Sequence, residues 1–380
     1  MLSYADLITL EPSLRRSHVL SVYVEGQTDD PAQRDRWRLQ LEKALEAERS
    51  RLADASREDR ERFATCVGML ERELDSAGVP GARGGWVAFI TPEGAWYSKS
   101  VPMRFATSAV WGRGAWVAPY VQALCEVHTV FVAVMDARAV WVYRYRHGEL
   151  DRLDELHAHH HVDTPLHMGD TSRVGFHSGT RGVTGHDAAQ RAHLEGTRRM
   201  LSEAAERIHK LAEEDGWIVL GGIANVVARM TPLLAPLADR VSVADTLDVH
   251  SSPAEIAEAA RRGAAALRER HELGAVHEIA HSAEAGALSA LGEETTRKAL
   301  EQSCVRELYL SPTFIDHRPE ATSRALRRAF DQSAHVEVVT GKAAQQLDEL
   351  GGIAAQLRYQ PCPRPPDRRS PRADLPSASP

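Results

Sequence analysis

Three α/β domains in tandem are predicted for this chain, on three observations. Short β-branched runs alternate with segments of helical apolar spacing, the pattern of helices layered on sheets. Glycine and proline clusters part these runs into three groups. The length of 380 residues, with 43% apolar and 26% charged residues, suits two or three globular domains. The expected divisions are residues 1–125, 126–272 and 273–360, followed by a tail over 361–380.

In the first group, His18-Val-Leu-Ser-Val-Tyr-Val24 is β-branched and bounded by Gly26 and Pro31, which predicts a buried strand. Trp37, Leu41, Ala44, Leu45 and Leu52 then recur at helical spacing, as do Phe63, Cys66, Val67, Leu70 and Leu74. Two helices follow from this, with the intervening charges on solvated faces. Gly81 to Gly85 breaks the pattern, and Trp86-Val-Ala-Phe-Ile90 with Ala95 to Lys99 forms a hairpin around Pro92-Glu93-Gly94. Residues 101–125, punctuated by Pro102, Gly112, Gly114 and Pro119, read as a crossing linker.

The second group opens with a hairpin of Val130-Phe-Val-Ala-Val-Met135 and Val140-Trp-Val-Tyr-Arg-Tyr145, and Gly148 leads into a third short strand. Residues 157–193 are rich in His, Gly and Thr and poor in aliphatics, which predicts a long exposed loop. A helix follows with Leu194, Leu201, Ala205, Ile208 and Ala212 on its buried face. Trp217-Ile-Val-Leu-Gly-Gly222 and Val241-Ser-Val-Ala244 are strands, and Pro253 to Arg270 is a helix capped by Ser251 or Ser252. The third group begins near Gly274, a position where few contacts are expected to cross, so that a chain ended after Arg270 should keep the first two domains folded. It alternates a helix at Gly292–Leu300, a strand at Val305–Leu310, a helix at Pro319–Gln332, a strand at Val336–Val339, a further helix, and Gly351-Gly-Ile-Ala-Ala-Gln-Leu-Arg-Tyr359. From Pro361 almost nothing is apolar, which predicts a disordered tail.

No run of about eighteen uncharged apolar residues occurs, and Met1 to Pro12 carries early acids instead of a basic-then-apolar signal, so a cytoplasmic protein without membrane contact is expected. The four cysteines, Cys66, Cys125, Cys304 and Cys362, lie far apart, which suggests neither a zinc knuckle nor a disulfide framework. With a net charge of −7 the summed field repels phosphate, so nucleic-acid contact has to come from local patches, and a DNA-coating role is not expected. One such patch is Arg173, Arg181, Arg191, Arg198 and Arg199, since guanidinium forks suit phosphate. Arg318, Arg324, Arg327 and Arg328 form a second basic patch, with the character of plain solvated surface. Gly221-Gly222 after a strand lacks the rest of any nucleotide-binding motif, so no cofactor is expected. His157, His159, His160 and His161 head a histidine-rich stretch that also holds Asp163 and Asp170; this chemistry can bind zinc or nickel, but nothing around it fixes the ring orientations.

Thr184-Gly185-His186-Asp187-Ala188-Ala189-Gln190-Arg191 and the segment through Arg199 resemble the Gly-Gly-Gln loop and following helix of the archaeo-eukaryotic class I peptide-chain release factors and Pelota, especially their bacterial members. Gly185 matches the second glycine, Thr184 stands at the first and His186 at the glutamine. The resemblance extends from Thr129 to Tyr359: Val130 to Leu150 is similar to the opening hairpin of the family's central domain. Gly292 to Leu310 and Gly351 to Tyr359 are similar to its third, ribosomal-protein-like domain. The resemblance implies a translation factor that enters the ribosomal A site in place of tRNA. Its partners would be the ribosome and rRNA, contacted through Arg173, Arg181, Thr184, Gly185, His186, Arg191, Arg198 and Arg199. A translational GTPase would dock on the third domain through Gly351, Gly352 and Arg358.

Residues 1–125 contain neither Asn-Ile-Lys-Ser nor Tyr-x-Cys-x-x-x-Phe, the family's stop-codon elements. At the loop, Gly-Gly lets the backbone take positive φ, and a β-branched Thr184 there costs about 1–2 kcal/mol. The resemblance therefore points to the hibernation or rescue branch, a stress response without peptide release. Two other readings stay open: a peptidyl-tRNA hydrolase with His186 as general base, and a metal-dependent hydrolase built on the histidine-rich loop.

Overall fold

The computed structural model describes residues 1–26, 36–77, 84–158, 185–213 and 216–360. They form three sheets with helices on both faces of each, a mixed α/β architecture.

The first sheet is antiparallel, built from β1 (His18–Glu25), β2 (Gly85–Thr91), β3 (Gly94–Val101) and β4 (Ser108–Arg113) in the order β3-β2-β1-β4. Strand β1 is apolar along its length because both faces are covered. Leu20, Val22 and Val24 meet α2 (Arg36–Arg51) and α3 (Arg57–Ala77), while Val19 and Tyr23, one step out of phase, face the opposite layer. That layer holds α1 (Tyr4–Leu14) and α4 (Ala118–Cys125).

The expected linker over 101–125 thus carries β4 and α4. Its punctuation has local uses: Gly112 lies within β4, Gly114 turns the chain at φ 81°, and Pro119 sits in the first turn of α4, where a missing N–H costs nothing. Helix α1 is a further element absent from the sequence-based expectation. Ser3 and Asp6 form its capping box, and Leu7, Leu10 and Leu14 give its buried stripe.

The second sheet has the order β7-β6-β5-β8-β9, with β5 (Val130–Met135), β6 (Ala139–Arg146), β7 (Glu149–His157), β8 (Trp217–Gly222) and β9 (Val241–Val243). The hairpins are antiparallel, whereas β8 runs parallel to β5 and to β9. One face packs on α5 (Gly185–Ala212), α6 (Ala224–Met230) and a 3-10 stretch, Thr231–Arg240. The other packs on the first half of α7 (Pro253–Glu284) through Ile256, Ala259 and Ala260. Ser252, with Glu255, caps α7 as the sequence suggests.

The third sheet, in the order β10-β13-β11-β12, contains β10 (Ser289–Leu291), β11 (Val305–Leu310), β12 (His335–Val338) and β13 (Ile353–Leu357). Helices α8 (Gly292–Glu301), α9 (Pro312–His317) and α10 (Pro319–Asp331) cover one face. The second half of α7 and α11 (Gly341–Glu349) cover the other, through Val276, Ile279, Ala343 and Leu347.

Two features join these units. Helix α7 runs unbroken past residues 270–274, where a division was expected; Gly274 costs about 1 kcal/mol relative to alanine in a helix, and the next turn buries Val276 and Ile279. Leu7, Leu14, Tyr120 and Phe89 of the first unit also share one apolar cluster with Leu326, Phe330 and Val336 of the third. Its rim is pinned by Tyr4, whose hydroxyl donates to the Ala334 carbonyl at 2.7 Å, and by an ion pair of Arg15 with Asp331 at 2.8 Å.

Candidate functional site

Helix α5 carries the residues that the sequence singled out. It starts at Gly185, so the segment expected to stay a loop as far as residue 193 is helical over its last nine positions, Gly185 to His193. Ala188, Ala189, Gln190 and Arg191 are strong helix formers, and that propensity prevails. His186 lies in the first turn.

Arg191 and the residues from His193 to Glu195 are exposed or partly so, and burial is seen from Gly196 and Thr197 onward. Thr197 anchors it, with its hydroxyl donating to the Ala137 carbonyl between β5 and β6 at 2.8 Å. Arg207 pairs with Asp154 of β7 at 3.3 Å, and Leu201, Ala204, Ala205, Ile208 and Ala212 fill the core beneath. Leu194, expected on the buried face, is 47% exposed. It lies ahead of the stretch that meets the sheet, and periodicity alone carries no information about where a sheet ends.

On this emergent stretch Arg191, Arg198 and Arg199 are exposed, and none makes a hydrogen bond or ion pair with a described residue. Arginines on other helices behave differently: Arg57, Arg62 and Arg297 each reach a glutamate on their own helix within 2.7 Å. Arg191 and Arg198 are seven residues apart and so share one face, with Arg199 adjoining. The result is an exposed surface with three arginines and Glu195 among them. Neither Thr197 nor the Arg207–Asp154 pair was anticipated; a threonine within a helix gives no sequence signal of a distant carbonyl partner.

Arg173, Arg181, Thr184, His159, His160 and His161 lie outside the described residues. His157 ends β7, with Nε2 3.0 Å from Glu155 Oε1. Among the described residues no group of three or more His, Cys, Asp or Glu could hold a metal ion. Burial pushes the Cys66 and Cys125 thiols up to about 12, which removes them as thiolate nucleophiles near neutral pH.

The third-unit residues are not one patch. Gly351 and Gly352 turn the chain into β13, while Arg358 follows that strand's last residue, roughly 20 Å from Gly352 at about 3.3 Å per residue. Arg358 is exposed, donating from Nη2 to the Ser333 carbonyl at 3.2 Å. Among the described residues no helix is long and apolar enough to cross a membrane.

Fold and site together define a mixed α/β protein whose second sheet carries a long basic helix reaching past its own core. Residues 116–265, which include that sheet and α5, match the family described as bacterial archaeo-eukaryotic release factor family 10. Over this segment the chain is similar to the bacterial members of the archaeo-eukaryotic release-factor and Pelota superfamily. No curated protein matches it.

Among solved structures, Archaeoglobus fulgidus Pelota is 12% identical over 95% of this chain and 94% of its own, with a TM-score of 0.38. The archaeal translation termination factor aRF1 is 16% identical over 93% and 97%, with a TM-score of 0.25. An archaeal Pelota in a model of ribosome-bound Pelota and ABCE1 is 12% identical over 95% of each chain, with a TM-score of 0.41.

Proposed function

We propose that this protein is a cytoplasmic translation factor that occupies the ribosomal A site during hibernation or rescue and does not release peptide. The observation that carries this reading is the family match over residues 116–265, together with three exposed arginines on α5 that pair with no described residue. In this reading Arg191, Arg198 and Arg199 contact rRNA phosphates, with Arg173 and Arg181 beside them in sequence. The third unit docks a translational GTPase through Gly351 and Arg358, exposed at opposite ends of β13, with the buried Gly352 holding the turn. The substitutions at Thr184 and His186, and the helical backbone from Gly185, all depart from a glycine-glycine tip free to press against an ester.

Co-sedimentation with ribosomes over a salt series tests the interaction. The triple variant Arg191→Ala, Arg198→Ala, Arg199→Ala should bind more weakly, and the slope of log affinity on log salt should fall by about one unit for each arginine–phosphate pair that the substitutions remove. Equal sedimentation of variant and wild type at every salt concentration rules out α5 as the ribosome-binding surface. Peptide release from loaded ribosomes tests the chemistry. The wild type should stay at background, and Thr184→Gly with His186→Gln should raise release. Wild-type release that climbs as pH passes about 6.5, and that vanishes in His186→Ala, identifies a histidine-dependent hydrolase instead.

A further inference from the structure

On the third sheet, α8 and α10 leave a cleft of about 350 Å³ between them, within the range of small-molecule sites. Its floor is apolar and belongs to the core: Leu300, Phe314, Ala325 and Ile353 are each at most 7% exposed. Along one bank Ala321, Arg324, Ala325 and Arg328 recur at the spacing of a single helical stripe. The other bank carries Arg297, and Arg15 from the end of α1 lines the cleft as well.

The charges in this cleft are not balanced. Arg15 is paired with Asp331 at 2.8 Å and Arg297 with Glu301 at 2.6 Å. Arg324 comes no nearer than 3.7 Å to Glu320, whose side chain is 91% exposed, an ion pair worth little in water. The Arg328 side chain makes no hydrogen bond or ion pair with a described residue. Five arginines line the cleft against three acids, in a chain whose net charge is −7. Like charges four residues apart, as Arg324 and Arg328 are, weaken a helix, and an anion between them reverses that effect.

We infer that this cleft binds a small phosphate monoester. Its apolar or aromatic body lies on the floor of Leu300, Phe314 and Ile353, and its phosphate lies between Arg324 and Arg328. Guanidinium forks donate to phosphate oxygens in pairs, and a cleft of about 350 Å³ suits a small molecule better than an extended peptide. The chain's own tail does not complement the site, since residues 361–380 carry Arg364, Arg368, Arg369 and Arg372 against Asp367 and Asp374. The cleft lies outside residues 116–265 and uses no residue of α5, so the inference stands apart from the ribosome reading.

Calorimetric titration of the full-length protein with 1-naphthyl phosphate, inorganic phosphate and 1-naphthol tests it. Naphthyl phosphate should bind saturably at one equivalent, about tenfold or more tighter than either fragment of itself. Arg324→Ala with Arg328→Ala should weaken it by about tenfold or more, as removal of a charge-assisted hydrogen bond implies. Both side chains are exposed and their mutual repulsion is removed, so the unliganded variant should keep the wild-type thermal midpoint or exceed it slightly. Absence of saturable binding at millimolar naphthyl phosphate overturns the inference, as does equal binding by the double variant or by inorganic phosphate. A phosphotyrosine peptide that binds tenfold better than free naphthyl phosphate assigns the cleft to a protein partner instead.

Discussion

Gly351 and Gly352 attract notice in the sequence as a family mark, and the fold gives them a local reason. Their φ angles are 102° and 75°, and a Cβ on Gly352 would stand 2.8 Å from Cβ of Phe314. The Gly352 carbonyl accepts from the Ser311 N–H at 2.9 Å, and its N–H donates to the Leu347 carbonyl at 2.8 Å, so the peptide cannot simply rotate away. Gly352→Ala should therefore cost about 2 kcal/mol or more, read as a lower urea midpoint at unchanged slope. A wild-type midpoint in this variant means that the turn is looser than its packing indicates. Individual residues were legible where chemistry is carried by type: Arg198 and Arg199 stand exposed, as a basic pair with little acid around it suggests. Residues were illegible where role depends on a neighbour far along the chain, as with Thr197 on Ala137 or Arg328 beside Phe314 in the cleft.

At the scale of elements, apolar runs such as Val130–Met135 and Trp217–Gly222 announced their strands because burial on both faces leaves no polar position within them. Strand β4 and helix α4 stayed hidden behind glycines and prolines that mark their edges as well as linkers. The β6–β7 hairpin turns through His147 and Gly148 at φ 53° and 81°, a two-residue loop with both residues in the left-handed region. Burial first, and Arg146 second, hold the His147 imidazole below its ordinary range, with a partial offset from the Pro102 backbone. The folded state therefore favours neutral His147, and this contribution is present above about pH 6.5 and lost as pH falls through the lowered value. Asparagine tolerates the left-handed region and does not titrate. The urea midpoint of His147→Asn should thus fall less than that of the wild type between about pH 7 and pH 5. Parallel pH dependences exclude His147 as a source of acid sensitivity.

The whole molecule is knit more tightly than three beads on a string. Sequence punctuation suggests that a chain ended after Arg270 keeps its first two units, because Gly274 looks like a break and packing between residues 1–125 and 273–360 leaves no local trace. In the fold, α7 passes through that point, and its middle is locked to the third unit by a buried carboxylate. Glu272 is 1% exposed, accepts from Arg268 Nε at 2.5 Å and receives the Thr340 N–H at 2.7 Å, while Arg268 also donates to the Val338 carbonyl at 3.1 Å. Ending the chain after Arg270 leaves Arg268 without Glu272. It also strips the cover from Leu7, Leu14 and Tyr120, since Leu326, Phe330 and Val336 go with the third unit. Such an exposed apolar face together with a truncated helix should make fragment 1–270 bind a hydrophobic dye, lose near-ultraviolet dichroism and unfold without a sharp transition. The second sheet, whose cores on α5 and on the first half of α7 lie wholly within the fragment, should retain its far-ultraviolet signal. A fragment that instead unfolds cooperatively, at the midpoint of the full chain and without dye binding, establishes that the first unit does not depend on the third and that the shared cluster contributes little to either.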